Sequence, residues 1–212
     1  IKAGERVAKF RMKGIYENID KTDSLSVTFN LLAKDENVWD LYGTRTRVQM
    51  QKACPFELST FEGYCLLTSS FFSAYMTNTE HRLLQAERDK TEDNTIILHD
   101  FFYKNYDLKI KYDPSDPLKP FVEFDDQIIG STAEAFGTIY GNGKLMCTQP
   151  VAYDSYYNVC QKFVFLYSTI YVVGKGTVGT YVNILEWISD EEAEQYKNCL
   201  LYTSDAADEA RS

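Results

Sequence analysis

The chain has 212 residues, 44% hydrophobic and 25% charged, with a formal net charge of −9. That length suits one domain with a real core. No run of 18 apolar residues exists to form a membrane-spanning helix. Two histidines and five cysteines, without a C-x-x-C pair, do not make a zinc site.

Cys199 to Glu209, CLLYTSDAADE, reads as a translated sequencing adapter, with Ala210 to Ser212 as further read-through. Residues 199–212 are therefore expected not to be native, the source to be a metagenomic fragment, and residues 1–198 to form a single β-rich domain truncated at both ends. Cys54, Cys65, Cys147 and Cys160 remain. Their spacing reads as free, partly buried thiols of an intracellular, cytoplasmic protein, although a leader lost ahead of Ile1 leaves secretion open. Cys147 and Cys160 would face each other across one long hairpin, but independent thiols are the expectation.

Val7 to Tyr16 sets Ala8, Phe10 and Met12 against Lys9, Arg11 and Lys13, the period of a half-buried strand. Leu25, Val27, Phe29, Leu31 and Ala33 alternate with Ser26, Thr28 and Asn30. From Thr44 the row Thr44, Thr46, Val48, Met50 opposes Arg45, Arg47, Gln49, Gln51. Three such strands with short connections predict an antiparallel meander. Ser59 and Glu62 suggest a capping box opening a helix through Tyr75, and 80–89 reads as a short exposed helix.

Thr95–Tyr103, Leu108–Tyr112 and Phe121–Ile129 return to strand-like sequence, broken by three prolines between 113 and 120. Asn142-Gly143 predicts a hairpin between Gly137–Tyr140 and Lys144–Cys147. Phe163–Val173 reads as a long buried strand, and Ser189 to Glu192 as the cap of a last helix. The expected core includes Phe29, Leu31, Val48, Ile97, Phe163, Phe165, Ile170 and Val172.

Gly174, Gly176 and Gly179 spell G-x-G-x-x-G and resemble a protein-kinase glycine-rich loop. A dinucleotide loop needs a helix next, and a kinase loop needs a valine where Tyr181 stands. The β-branched run after Gly179 favours a hairpin turn; a nucleotide-binding fragment using Gly174–Gly179 is the third functional reading. His99, with Asp100, Asp93 and Glu92 close by, is the one histidine considered for acid–base work, with Cys54 or Cys65 as nucleophile. Adjacent strand residues face opposite ways, which separates His99 from Asp100. Glu123, Asp125 and Asp126 match no calcium loop. No catalytic, cofactor or metal residue is assigned, and the chain is read as a binding protein rather than an enzyme.

Residues 1–52 carry ten basic and seven acidic side chains, net +3; residues 53–198 carry eleven and twenty-one, net −10. A basic sheet face of Lys9, Arg11, Lys13, Arg45 and Arg47, with Tyr16, Trp39 and Tyr42 as stacking rings, is the layout of a single-stranded nucleic-acid binder. The small β-rich domain with an acidic C-terminal stretch resembles phage-type single-stranded-DNA-binding proteins. The expected fold is α+β and β-dominated, an antiparallel meander plus hairpins, OB-like or sandwich-like, with one or two helices. The leading functional expectation is ssDNA-type binding; the alternative is a structural or assembly module that self-associates.

Overall fold

The computed structural model describes residues 11–20, 24–32, 44–76, 80–117 and 119–198. The chain divides into two compact units, Ile1–Cys54 and Pro55–Ser212.

In the first unit, β1 (Ser24–Asn30) pairs antiparallel with β2 (Arg45–Gln51). Opposite residues share a face, so Leu25, Val27 and Phe29 meet Met50, Val48 and Thr46, while Ser26, Thr28 and Asn30 meet Gln49, Arg47 and Arg45. The alternation read from the sequence matches this register. The third expected strand differs: residues 11–15 are irregular, Tyr16–Asn18 form a 3-10 turn, and 7–10 lie outside the described residues. A two-stranded ribbon buries little by itself. Phe29 and Val48 are accordingly half-buried and Leu31 is exposed, correcting their expected place in a core.

The second unit is β-dominated. Its strands are β3 (Gly63–Ser69), β4 (His81–Arg88), β5 (Thr95–Leu98), β6 (Leu108–Asp113), β7 (Phe121–Glu123), β8 (Gln127–Ser131), β9 (Lys144–Thr148), β10 (Ser155–Asn158), β11 (Phe163–Val172) and β12 (Gly176–Trp187). Eight of them, β3-β4-β5-β6-β7-β10-β11-β12, close into an antiparallel barrel because β12 pairs with β3 and β10 with both β7 and β11. Neighbours around the wall are successive in the chain except at the β3–β12 closure and where the β8–β9 ribbon intervenes, attached through β9 to β11. Closure removes the open edges of the sheet. Few helices accompany it: α1 (Ser70–Tyr75), α2 (Thr132–Phe136), and a C-terminal helix, α3, over 190–198.

A barrel of this strand number is just wide enough to be filled by side chains or to hold one small ligand. This one is filled. Leu67, Leu84, Ile96, Leu108, Val164 and Leu185 point inward and are buried. One end is stoppered by Phe71 and Phe72 of α1, with Phe71 stacked on Phe102 at 4.8 Å. The other is stoppered by Phe61, 4.6 Å from Tyr112, 5.7 Å from Tyr157 and 5.1 Å from Trp187. The Tyr112 hydroxyl and Trp187 Nε1 are buried there with no hydrogen-bond partner among the described residues, a cost of an all-aromatic stopper.

A polar cluster fixes α1 over the barrel. Ser69 Oγ donates to Asn183 Oδ1 at 2.6 Å and accepts from the Phe71 N–H, capping α1. Asn183 Nδ2 donates to the Leu166 carbonyl at 3.0 Å and to Ser168 Oγ at 2.9 Å. All three polar residues are buried, and these bonds satisfy the amide in the way burial demands.

Four expected elements are corrected. The helical excursion over 57–90 is a 3-10 turn (Leu58–Phe61), then β3, the short α1 and β4. Leu, Gln, Ala, Glu and Arg in β4 favour helix intrinsically, but pairing with β3 on one side and β5 on the other overrides that preference. Phe121–Ile129 is two strands rather than one, and Thr95–Tyr103 shortens to β5. Asn142-Gly143 does turn the chain, yet the partner of β9 is β8, with α2 in the connection, not 137–140. On β11 the inward row is Val164, Leu166, Ser168, Ile170 and Val172, so Phe163 and Phe165 face outward. Ile97 is likewise only half-buried. The last helix starts as expected, with Ser189 and Glu192 exchanging side-chain-to-backbone hydrogen bonds.

Candidate functional site

The register of the hairpin decides the fate of the expected basic face. Arg45 and Arg47 lie on one side of β2, both exposed, with Arg47 Nη2 donating to Ser26 Oγ at 3.0 Å. Gln49, Ser26, Thr28 and Asn30 complete that face between strand ends, and among the described strand residues no carboxylate stands on it. Arg11 and Lys13 are exposed but belong to no strand. A Cβ added at Gly14 would lie 3.2 Å from Met50 Sδ, so this segment runs beside the apolar side of the hairpin. The structure thus unites Arg45 and Arg47 and does not bring Arg11 and Lys13 into their row. Lys9, Trp39 and Tyr42 lie outside the described residues, as does the Tyr16 side chain.

The glycine motif is a turn. Lys175 N–H donates to the Val172 carbonyl at 3.0 Å, and Gly174 and Gly176, at φ 74° and 117°, reverse the chain into β12. Those angles favour glycine, since a Cβ would be strained in both. Gly179 pairs with Ile170 within the ladder, beside a register shift. From Gly179 the chain continues as strand to Trp187, so the helix N-terminus that a phosphate loop requires is absent here. The dinucleotide form of the nucleotide-loop reading is corrected on that ground.

Histidine and carboxylates form ion-pair clusters. His99 Nδ1 is 2.9 Å from Asp107 Oδ2 and Nε2 is 3.3 Å from Glu87 Oε1; Asp107 also accepts from the Asp100 N–H. Burial pulls the His99 pKa down, but hydrogen bonds and charge from Asp107 and Glu87 together hold it above the ordinary imidazole value. The carboxylates on this ring are thus Asp107 and Glu87 rather than Asp100. Asp89, its side chain 4% exposed, accepts from Lys109 Nζ at 2.5 Å and from Thr91 twice. The Lys109 hydrogen bond, with those from Thr91, keeps its carboxyl well below the usual range. These two pair up at a polar cleft of about 450 Å³ lined in part by Thr95, Lys109, Glu123, Asp125 and Gln127. Asp126 accepts from the Tyr171 hydroxyl at 2.7 Å. No cluster able to hold a metal ion occurs among the described residues.

Cys65 and Cys147 are buried free thiols, and burial pushes Cys147 up to about 12, far from the reactive thiolate form. Cys54 and Cys160 are disulfide-bonded, which corrects the expectation of free thiols at those two positions, while Cys65 and Cys147 are free as expected.

The feature that sequence reading misses is on the outside of the barrel. Tyr156 on β10 lies opposite Phe121 of β7 and Phe165 of β11, all pointing outward. Tyr156 stacks on Phe165 at 5.4 Å with planes 10° apart, and Tyr153 stacks on Tyr167 at 5.0 Å. Phe121, Tyr153 and Tyr156 are 37%, 52% and 41% exposed. In the sequence, β11 is apolar on both sides, so nothing local separates its outer row from core. The weak signal available is the alternation of Ser155 and Tyr157 with Tyr156.

Residues 41–199, from before β2 through the whole barrel, match the family model described as a domain of unknown function, DUF4984. The chain belongs to that family. No curated protein and no solved structure matches this DUF4984 chain. Among the described residues of the DUF4984 chain, no helix is long and apolar enough to cross a membrane.

Proposed function

We propose that this DUF4984 protein is a non-catalytic assembly module that self-associates through the outer aromatic face of its barrel. The observation that carries this reading is the row Phe121–Tyr156–Phe165 across three strands, continued by Tyr153 on Tyr167. Single exposed apolar side chains are ordinary, whereas a contiguous aromatic patch marks an interaction surface. Here the patch is rimmed by Glu123, Asp154 and Glu186, the aromatic-centre, polar-rim layout of protein interfaces. The inward rows of the barrel are buried apolar side chains, so the exposed aromatic face, rather than the interior, is the surface offered to a partner. Sedimentation over rising concentration tests it. Oligomers are expected to grow with concentration, to vanish in Tyr156→Glu, and to be indifferent to added oligonucleotide. A protein that stays monomeric into the millimolar range sinks the idea.

A second reading, binding of single-stranded nucleic acid in the manner of an OB-like or phage-type protein, is favoured by the carboxylate-free face that carries Arg45 and Arg47. Labelled oligonucleotide should bind at low salt, with a logarithmic salt slope that falls by about 1.4 in Arg45→Ala/Arg47→Ala, about 0.7 for each lost phosphate contact. Unchanged binding by that double variant ends this reading. The disulfide-bonded Cys54 and Cys160 favour an oxidising compartment over the cytoplasm.

A further inference from the structure

At the tip of the β11–β12 hairpin an open groove of about 330 Å³ is lined by Tyr75, Phe136, Tyr140, Val172, Lys175 and Val178, among others. It lies at the glycine turn, away from the paired rings of the outer aromatic face, and does not depend on the assembly reading. We infer that this groove is a binding site for a small anionic molecule with a flat, aromatic body.

Its walls are aromatic and fixed. Tyr75 meets Phe136 edge-on, with centroids 5.4 Å apart and planes at 76°, and Phe136 meets Tyr140 at 5.9 Å and 70°. Tyr75 also stacks on buried Phe71 at 4.9 Å and meets the Tyr181 ring edge-on at 6.3 Å, which ties it to the barrel wall. On the opposite side, a Cβ at Gly141 would come within 2.8 Å of the Val173 carbonyl oxygen and 3.2 Å of Lys175 Cγ. The α2–β9 connection therefore presses directly on the hairpin tip, and the groove is preformed rather than assembled by a ligand. Edge-on rings leave π-faces available to a flat guest. The volume is at the lower end of the range for small-molecule sites.

Charge selects the guest. Among the described residues no carboxylate lines the groove, although residues 53–198 carry a net −10. Lys175 is exposed at the tip and makes no ion pair among the described residues. An unpaired ammonium beside three aromatic side chains complements an anionic group on an aromatic body, with Thr177 as a further polar contact at the rim. A sugar would instead call for the carboxylate and amide acceptors that the groove lacks.

The test uses 2-naphthoate as the probe and neutral 2-naphthalenemethanol as its comparison, titrated by calorimetry into the full chain. Naphthoate should bind more tightly than the alcohol. Lys175→Ala should weaken naphthoate about fivefold while leaving the alcohol within about twofold. Tyr140→Ala, at an exposed loop position, should weaken both. Circular dichroism of both variants checks that the barrel is intact. Equal affinity for acid and alcohol, an unchanged Lys175→Ala or Tyr140→Ala, or no naphthoate binding up to its solubility overturns the proposal.

Discussion

Val48 in the hairpin and Leu185 in the barrel both sit on the apolar row of a strand in an antiparallel pair. Leu185 stands between Val164 and Leu67 and is fully buried; Val48 faces Val27, itself 38% exposed, and is only half-buried. The difference is closure. In the barrel every strand has two neighbours and an opposite wall, so each inward side chain meets others from all around. Among the described residues the hairpin strands pair only with each other, and Leu25 and Val27 on their apolar row stay 43% and 38% exposed. Alternation thus specifies which residues share a face without specifying whether that face becomes a core.

The largest effect expected from this contrast is in packing. Leu185→Ala should cost about 2–5 kcal/mol of stability, the range for emptying a buried leucine site, whereas Val48→Ala should cost less than about 1 kcal/mol. Urea unfolding followed by far-ultraviolet circular dichroism measures both. Equal losses would mean that the hairpin has a core of barrel quality. A smaller contrast lies in the polar bonds. Asn183→Ala strands Ser69, Ser168 and the Leu166 carbonyl in a buried site and should cost about 1–3 kcal/mol. Arg47→Ala gives up an exposed bond to Ser26 and should stay within about 0.5 kcal/mol.

The smallest effect is a pH dependence at the barrel surface. The folded-state pKa of His99 lies above its unfolded value, so its ion pairs contribute fully below the unfolded imidazole pKa of about 6.5 and are lost as pH rises through the folded value. His99→Gln should therefore lower the melting temperature more at pH 5.5 than at pH 8.5. A loss that is independent of pH would show that the ring acts through packing, not charge.

Much of the layout is legible where local pattern and local chemistry agree. The pairing face of Arg45 and Arg47, the strand at 163–172, the glycine turn after it and the Ser189 cap all follow from period and turn residues alone. The hidden parts are those settled by distant partners. His81 to Arg88 has helix-forming residues and becomes a strand because β3 and β5 flank it. Phe163 and Phe165 belong to a run apolar on both sides, for which period two carries no information about direction. The groove is harder still, since Tyr75, Tyr140 and Lys175 come from three connections that no spacing rule relates.

The pairing of β3 with β12 also bears on how the protein is made. Cys65 emerges from the ribosome long before its partner Trp187, and until then the β3 edge has no β12 to pair with. Successive hairpins can form as they appear, but the ring joins only when the last strand is synthesised, and such non-local pairing is slow. The unclosed sheet, with Leu67 and Leu84 not yet sealed inside, is the species most open to misassembly.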